Sequence, residues 1–322
     1  MKQSGIQTLA AQIQEQVGEI IVGKDDQIEL MLTAVIASGH ILLEDVPGTG
    51  KTLLAKTLAS SMDCTFQRIQ FTPDLLPSDL TGVNFYDQKA GDFTFRPGPL
   101  FANVVLADEI NRATPRTQSS LLECMEEHQI SVDGVTHSLQ PPFIVLATQN
   151  PVDNQGTFPL PEAQMDRFML KLNMGYPTAD EAVKILKRTI NGQVSSALQP
   201  VVSREAVLEA RQLYQEVIVH DDLLRYIIAL AEETRQHADV SLGVSPRGTQ
   251  ALLRAVQARA AIHGRAYALP DDVQKLAVPV LAHRLVLHSR HQQASGGGAG
   301  LIHAILEKLA VPAEEELEGS IR

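Results

Sequence analysis

An apolar run, Ile41-Leu42-Leu43, leads into Glu44-Asp45-Val46-Pro47-Gly48-Thr49-Gly50-Lys51-Thr52. Phosphates are bound by that order of residue types. Glycines let successive backbone N–H groups wrap an anion, the start of the following helix adds partial positive charge, and Lys51 can reach outer phosphates. The Thr52 hydroxyl then stands as a ligand for Mg²⁺. The phosphate-contacting set is Pro47, Gly48, Thr49, Gly50, Lys51, Thr52 and Leu53. The spacing G-x-x-x-x-G-K-[ST] asks for glycine at 45, where this chain has Asp45. A carboxylate beside a triphosphate is repulsive unless it points away. Asp tolerates the unusual backbone angles of a tight turn, and Gly48 and Gly50 keep the close backbone approach. Asp45 is therefore compatible with phosphate binding and leaves the rate of hydrolysis open.

A second apolar run ends in two acids, Val104-Val105-Leu106-Ala107-Asp108-Glu109. Carboxylates at a strand's C-terminal end stand where open α/β sheets bind ligands. Asp108 is expected to hold Mg²⁺ through water and Glu109 to polarise an attacking water. The alternative is a strand end with solvated acids; the phosphate loop upstream, in this strand order, favours the catalytic reading. A third run, Ala147-Thr148-Gln149-Asn150-Pro151, ends in an amide. Asn150 can hydrogen-bond an attacking water or a γ-phosphate, although an isolated Asn-Pro only starts a turn. Met125-Glu126-Glu127 reads as the exposed end of a helix. The ten histidines show no i, i+4 pairing with carboxylates on a helix face, and no Gly-x-Ser-x-Gly elbow occurs.

These residues need a scaffold, and the pattern supplies one. Short apolar strands at 41–43, 66–70, 104–107, 143–148 and 168–172 alternate with helices at 52–61 and 117–128. Continuous apolar strands alternating with helices mean a parallel sheet covered on both faces. Two helices, at 7–20 and 26–37, precede it, joined by the turn Ile21-Val22-Gly23-Lys24. Two insertions read as β-hairpins, one within 75–99 and one at 129–138 around Asp133-Gly134. After Gly175-Tyr176-Pro177 the strand signals stop, and helical periodicity recurs at 180–190, 204–216, 223–237, 246–263, 271–288 and 301–309. The expected division is an α/β core at 1–176 and an all-α domain at 177–322. Residues 294–298 read as a loop and 314–318 as a solvated acidic tail.

At 322 residues both parts can bury a core. A net charge of −11 and 4% aromatic residues disfavour a nucleic-acid surface. Cys64 and Cys124 lack metal-ligand spacing and suit a reducing compartment. With no secretory signal and no apolar run long enough to span a bilayer, the chain is expected to be cytoplasmic, without membrane insertion.

Residues 44–52, Leu106-Ala107-Asp108-Glu109-Ile110-Asn111-Arg112-Ala113, 147–151 and Pro159-Leu160-Pro161-Glu162-Ala163-Gln164-Met165-Asp166-Arg167-Phe168 together resemble the MoxR family of AAA+ ATPases. Each motif is moderately specific and the ordered set highly so. The resemblance implies an αβα P-loop core with a parallel sheet, two hairpin insertions facing a ring's pore, and a helical lid. It implies ATP and Mg²⁺ as cofactors, hydrolysis, and a homo-oligomeric ring, usually a hexamer. Arg167 resembles the arginine finger that reaches a neighbouring subunit's γ-phosphate; the alternative is an Asp166–Arg167 pair closing the strand. Arg247, in Ser245-Pro246-Arg247, resembles the sensor that contacts nucleotide in cis. Val22 and Gly23 stand where the family contacts adenine, unless they form a plain helix–helix turn.

Similar proteins act as chaperone-like remodellers, commonly with partners bearing a von Willebrand factor A domain. Two other readings stay open. One is a nucleic-acid-directed motor, disfavoured by charge and composition. The other is a nucleotide-switched scaffold with little turnover, for which Asp45 is the support.

Overall fold

The computed structural model describes residues 3–44, 48–89, 91–150, 156–190, 198–288 and 296–312. Asp45 and Pro47 of the phosphate loop lie outside the described residues, as do Pro151, residues 294–295 and the acidic segment 314–318. Two helices open the chain, α1 (Gln3–Ile20) and α2 (Asp25–Ile36). The sheet-forming part follows: β1 (Ile41–Glu44), α3 (Lys51–Ser61), β2 (Phe66–Gln70), α4 (Pro77–Thr81), β3 (Gly82–Asp87), β4 (Asp92–Pro97), β5 (Val104–Asp108), α5 (Pro115–Glu127), β6 (Gln129–Val132), β7 (Val135–Ser138), β8 (Ile144–Gln149), α6 (Glu162–Met165) and β9 (Leu170–Leu172). The remainder is α7 (Ala179–Ile190), α8 (Arg204–Leu213), α9 (Asp221–Gln236), β10 (Val240–Leu242), α10 (Pro246–Ile262), α11 (Pro270–Leu281), β11 (Val286–Leu287) and α12 (Gly297–Lys308).

The described strands build a five-stranded sheet in the order β2-β5-β8-β1-β9, with all its pairings parallel. The runs of β1, β5 and β8 are continuous and apolar because both of their faces are buried, whereas the edge strand β2 is mostly exposed. Ile41, Leu43, Val104, Leu106, Ile144 and Leu146 enter one core with α1, α2, α3 and the C-terminal helices. Leu42, Val105, Ala107, Val145 and Ala147 alternate into a second core, which holds Leu121 and Leu122 of α5. Each fully buried Leu or Ile contributes roughly 1.5–3 kcal/mol to keeping this frame rigid.

Both expected hairpins form, β3 with β4 and β6 with β7. Asp133 (φ 51°) and Gly134 (φ 82°) both have positive φ, as a two-residue hairpin turn demands. The hairpins touch: Phe95 stacks on His137 with ring centroids 4.1 Å apart, and Asn84 donates to Asp133 at 2.8 Å.

The C-terminal part departs from the all-helical expectation in the β10–β11 pair and in an isolated bridge between Ile218 and Tyr267. The pattern at 271–288 breaks after α11 into a 3₁₀ turn, Ala282–Arg284, and then β11, which pairs antiparallel with β10. The break turns Arg284 inward, where its guanidinium donates to the carbonyls of Phe168 (2.6 Å) and Met169 (3.2 Å). That contact lies far away in sequence, so periodicity could not show it. Helix α10 runs through this region with Ala251, Ala255, Ala258, Ala260 and Ala261 buried, small residues that let α1, α2, α9 and α11 approach closely. Among the described residues no helix is long and apolar enough to cross a membrane.

Candidate functional site

Strand β1 delivers the phosphate loop to the sheet's C-terminal edge, where β8 and β9 flank it, the crevice in which such sheets bind ligands. Gly48 and Gly50 have φ of 84° and 86°. Among the described residues a Cβ on either would meet nothing within 4 Å, and the left-handed backbone by itself favours glycine here. Gly50 is the N-cap of α3 and has no side chain to cap that end, and Gly50, Lys51, Thr52 and Leu53 at the start of the helix line the cleft. Gly48, Gly50, Lys51, Thr52, Leu53, Asp108, Glu109 and Asn150 line one cavity of about 450 Å³, with Arg68, Gln70, Thr148 and Gln149. That volume falls within the range of ~300–1,000 Å³ usual for small-ligand sites. Thr52 and Asp108 offer hard oxygen donors to this cavity, the donor chemistry that suits Mg²⁺.

The acidic pair is held by its neighbours' side chains. Asp108 Oδ1 accepts from the Thr148 hydroxyl at 2.6 Å, and Oδ2 accepts from Arg68 Nε (3.0 Å) and Nη2 (2.6 Å). Glu109 takes a left-handed conformation, φ 58° and ψ 49°, which is costly for a side chain with a Cβ. Its N–H donates to Thr148 Oγ1 at 2.8 Å, anchoring that turn. Its carboxylate accepts from Gln70 Nε2 at 2.7 Å and pairs with Arg112 Nε at 3.1 Å. Thr148 thus braces both acids at once.

Arg68, Gln70 and Thr148 were missed by sequence reading. Gln70 and Arg68 sit on a strand whose pattern is mostly exposed, and only the register Gln70↔Asp108 reveals their place. Val22 and Gly23 do not line the cleft. Gly23 (φ 68°) packs against Glu181 of α7, and the neighbouring Lys24 donates to the Tyr176 carbonyl.

The two arginines lie together, away from the cleft. Glu126, in the last turn of α5, pairs through Oε2 with Arg167 Nη2 at 3.1 Å and through Oε1 with Arg247 Nη2. Both arginines line a second cavity of about 150 Å³, with Arg254, Arg284 and His128. It is smaller than the ~300 Å³ of ordinary ligand pockets. Arg247 is therefore brought beside Arg167 instead of to the phosphate loop of its own chain, where a cis contact was expected. The Arg247 guanidinium holds the Glu126 carboxyl below the usual carboxylate range.

Asp166 does not pair with Arg167. It accepts from Arg284 Nε at 2.7 Å and from the Ser245 hydroxyl at 2.9 Å. Ser245 is the N-cap of α10 and accepts from Gly248 N at 3.1 Å, so one fixture places both arginines. No sequence signal marked Glu126, because its helix position is solvent-facing.

Residues 40–170 match the ATPase family associated with various cellular activities (AAA), and residues 232–306 match the AAA lid domain. The chain is 46% identical to the uncharacterized protein YeaC of Bacillus subtilis over 97% of this chain and 98% of that protein. It is 38% identical to chaperone MoxR1 of Mycobacterium tuberculosis, over 96% of this chain and 85% of that one. Among solved structures, one from Cytophaga hutchinsonii superposes with a TM-score of 0.90 at 39% identity, covering 97% of each chain.

Proposed function

The chain belongs to the MoxR family of AAA+ ATPases, and from that premise we propose that it hydrolyses ATP to remodel or activate protein partners as a ring of its own copies. The α/β core is assigned to residues 1–176 and the lid to 177–322. The observation that carries hydrolysis, over binding alone, is the posture of Glu109. Its backbone is anchored to Thr148 in a left-handed turn and its carboxylate is held by Gln70, inside the cavity that Lys51 and Asn150 also line. A solvated strand end has no need of such bracing.

In this reading the α3 N-terminus, Gly48–Gly50 and Lys51 bind the phosphates; the adenine role of Val22 and Gly23, which stand outside the lining of that cavity, is proposed on family resemblance alone. Bound Mg²⁺ supplies charge neutralisation at the phosphate oxygens, and Thr52 and Asp108 are the residues to hold it. Asn150 orients water towards the γ-phosphate, and Glu109 takes the proton as the new P–O bond forms and the bond to ADP breaks. Arg167, with Arg247 beside it, serves a neighbour's γ-phosphate. The chaperone name of the M. tuberculosis relative supports the remodelling role. So do the exposed Phe85, Tyr86 and Phe93 on the β3–β4 hairpin, which suit contact with a client chain. A partner with a von Willebrand factor A domain is proposed on family resemblance, and a cytoplasmic location is proposed from the sequence reading.

The test is Glu109→Gln. Phosphate release should fall by about 10²–10⁴-fold, the usual contribution of a general base, while ATP affinity stays within a few-fold. Equal, slow rates in both proteins would leave a nucleotide-switched scaffold.

A further inference from the structure

We infer that Glu126 is an internal competitor for the neighbour's terminal phosphate: it holds Arg167 and Arg247 in each subunit and must release them before they act in trans. The inference rests on the trans reading of the two arginines. Glu126 presents one carboxylate oxygen to each guanidinium, the arrangement in which two oxygens of one phosphate would meet them. The arginines come from separate elements, the entry to β9 and the first turn of α10, and converge only there. Side-chain exposures of 29% for Arg167, 45% for Arg247 and 34% for Glu126 leave all of them reachable by another molecule. Arg167 Nε is itself buried without a hydrogen-bond partner among the described residues, so the carboxylate does not exhaust its donors.

Two anchors fix the direction of the exchange. The arginine side is tied by Asp166 to Ser245 and to the buried Arg284. The Glu126 side is tied by buried His40, whose Nε2 donates to the carbonyl of Met125 at 3.0 Å. Burial pushes the pKa of His40 down to about 3, so that donor stays neutral and in place. Glu126 therefore cannot follow the arginines onto a neighbour. A terminal phosphate, with more charge and more acceptor oxygens than one carboxylate, displaces it. Whatever the Glu126 pairs contribute within a subunit is subtracted from the contact between subunits.

The experiment measures ATPase rate per subunit against protein concentration at saturating ATP, for wild type and Glu126→Gln. The glutamine keeps shape and position on an exposed helix end, and thermal melting checks its folding. Removing two part-exposed pairs should move the half-activation concentration down by roughly threefold to tenfold, with no loss of rate at the plateau. A structural role alone would lower the melting temperature and the plateau and leave the midpoint unmoved. A companion arm mixes Arg167→Ala with Lys51→Ala subunits, and activity returns if Arg167 works in trans. Restored activity with an unmoved or raised Glu126→Gln midpoint overturns the competition alone. No restored activity overturns the trans reading and the competition with it.

Discussion

Replacing Thr148 by valine isolates what positions the two acids. Thr148 is 1% exposed, and its hydroxyl donates to Asp108 Oδ1 at 2.6 Å and accepts from Glu109 N at 2.8 Å. Valine fills the same space and does neither. The Glu109 N–H is left without its partner at about 1–3 kcal/mol, and the bond to charged Asp108 is worth about 1.5–3 kcal/mol. Asp108 keeps Arg68 and can draw in water, which trims the second figure. A net loss of about 2–4 kcal/mol is expected, or roughly 3–6 °C in Tm for a chain of 322 residues.

The same bond compensates the left-handed Glu109, whose conformation costs on the order of 1–2 kcal/mol. Without it the turn relaxes and the carboxylate loses its aim. ATPase activity should then fall by about 10²-fold or more. Thr148→Ser keeps the hydroxyl and is expected to stay within about 1 kcal/mol and a few-fold of wild type. Thermal unfolding with steady-state phosphate release checks both. A valine variant within about 0.5 kcal/mol of wild type, or one that still turns over normally, would refute the bracing role.

Acid should destabilise the chain through two buried histidines. The pKa of His40 falls from 6.5 to about 3, and that of His283 falls well below 6.5, both chiefly by burial. Below pH 6.5 the unfolded chain binds protons that the folded chain refuses. Stability is therefore intact above that pH and lost towards pH 3, approaching about 1.4 kcal/mol per pH unit for each histidine. Urea melts between pH 7 and 5 read the slope, and a flat profile would contradict the neutral, buried state. Gly50→Ala should cost about 1–2 kcal/mol of backbone strain at φ 86°. With no packing clash among the described residues, its main effect should be weaker nucleotide binding. Unchanged affinity in a fluorescent-nucleotide titration would show that the loop does not need its left-handed turn.

The sequence showed the sheet and the cleft because those depend on local or periodic signals. Strands buried on both faces read as unbroken apolar runs, as Val104–Asp108 does, and Asp133-Gly134 announces its hairpin by turn chemistry. What escaped depends on register and on contacts distant in the chain. Gln70 differs from any exposed strand residue only by standing beside Asp108. Arg247 could be placed at a helix start from Ser245-Pro246, but not on the side of the molecule where that helix begins. Glu126 looks like a solvated acid, and half of that reading is correct, since it is solvated and also paired. Arg284 ended a predicted helix early because its partners, Asp166 and the Phe168 carbonyl, lie more than a hundred residues upstream.

Burial sorts the ion pairs of this chain into those a ligand can exchange and those it cannot. Arg68 is 46% exposed where it meets Asp108, and Arg247 is 45% exposed where it meets Glu126. Exposed pairs of this kind are worth about 0–1 kcal/mol, so a metal ion at Asp108 or a phosphate at the arginines can replace the partner cheaply. Arg284 is only 2% exposed and binds Asp166 together with several carbonyls. Breaking such a pair costs about 3–5 kcal/mol. The exchangeable pairs stand where ligands would arrive; the fixed pair joins the entry to β9 to the 3₁₀ turn after α11, and Asp166 extends that junction to the start of α10 through the Ser245 hydroxyl. Ligand exchange at the exposed pairs therefore leaves that junction in place, and Arg167 and Arg247 move together.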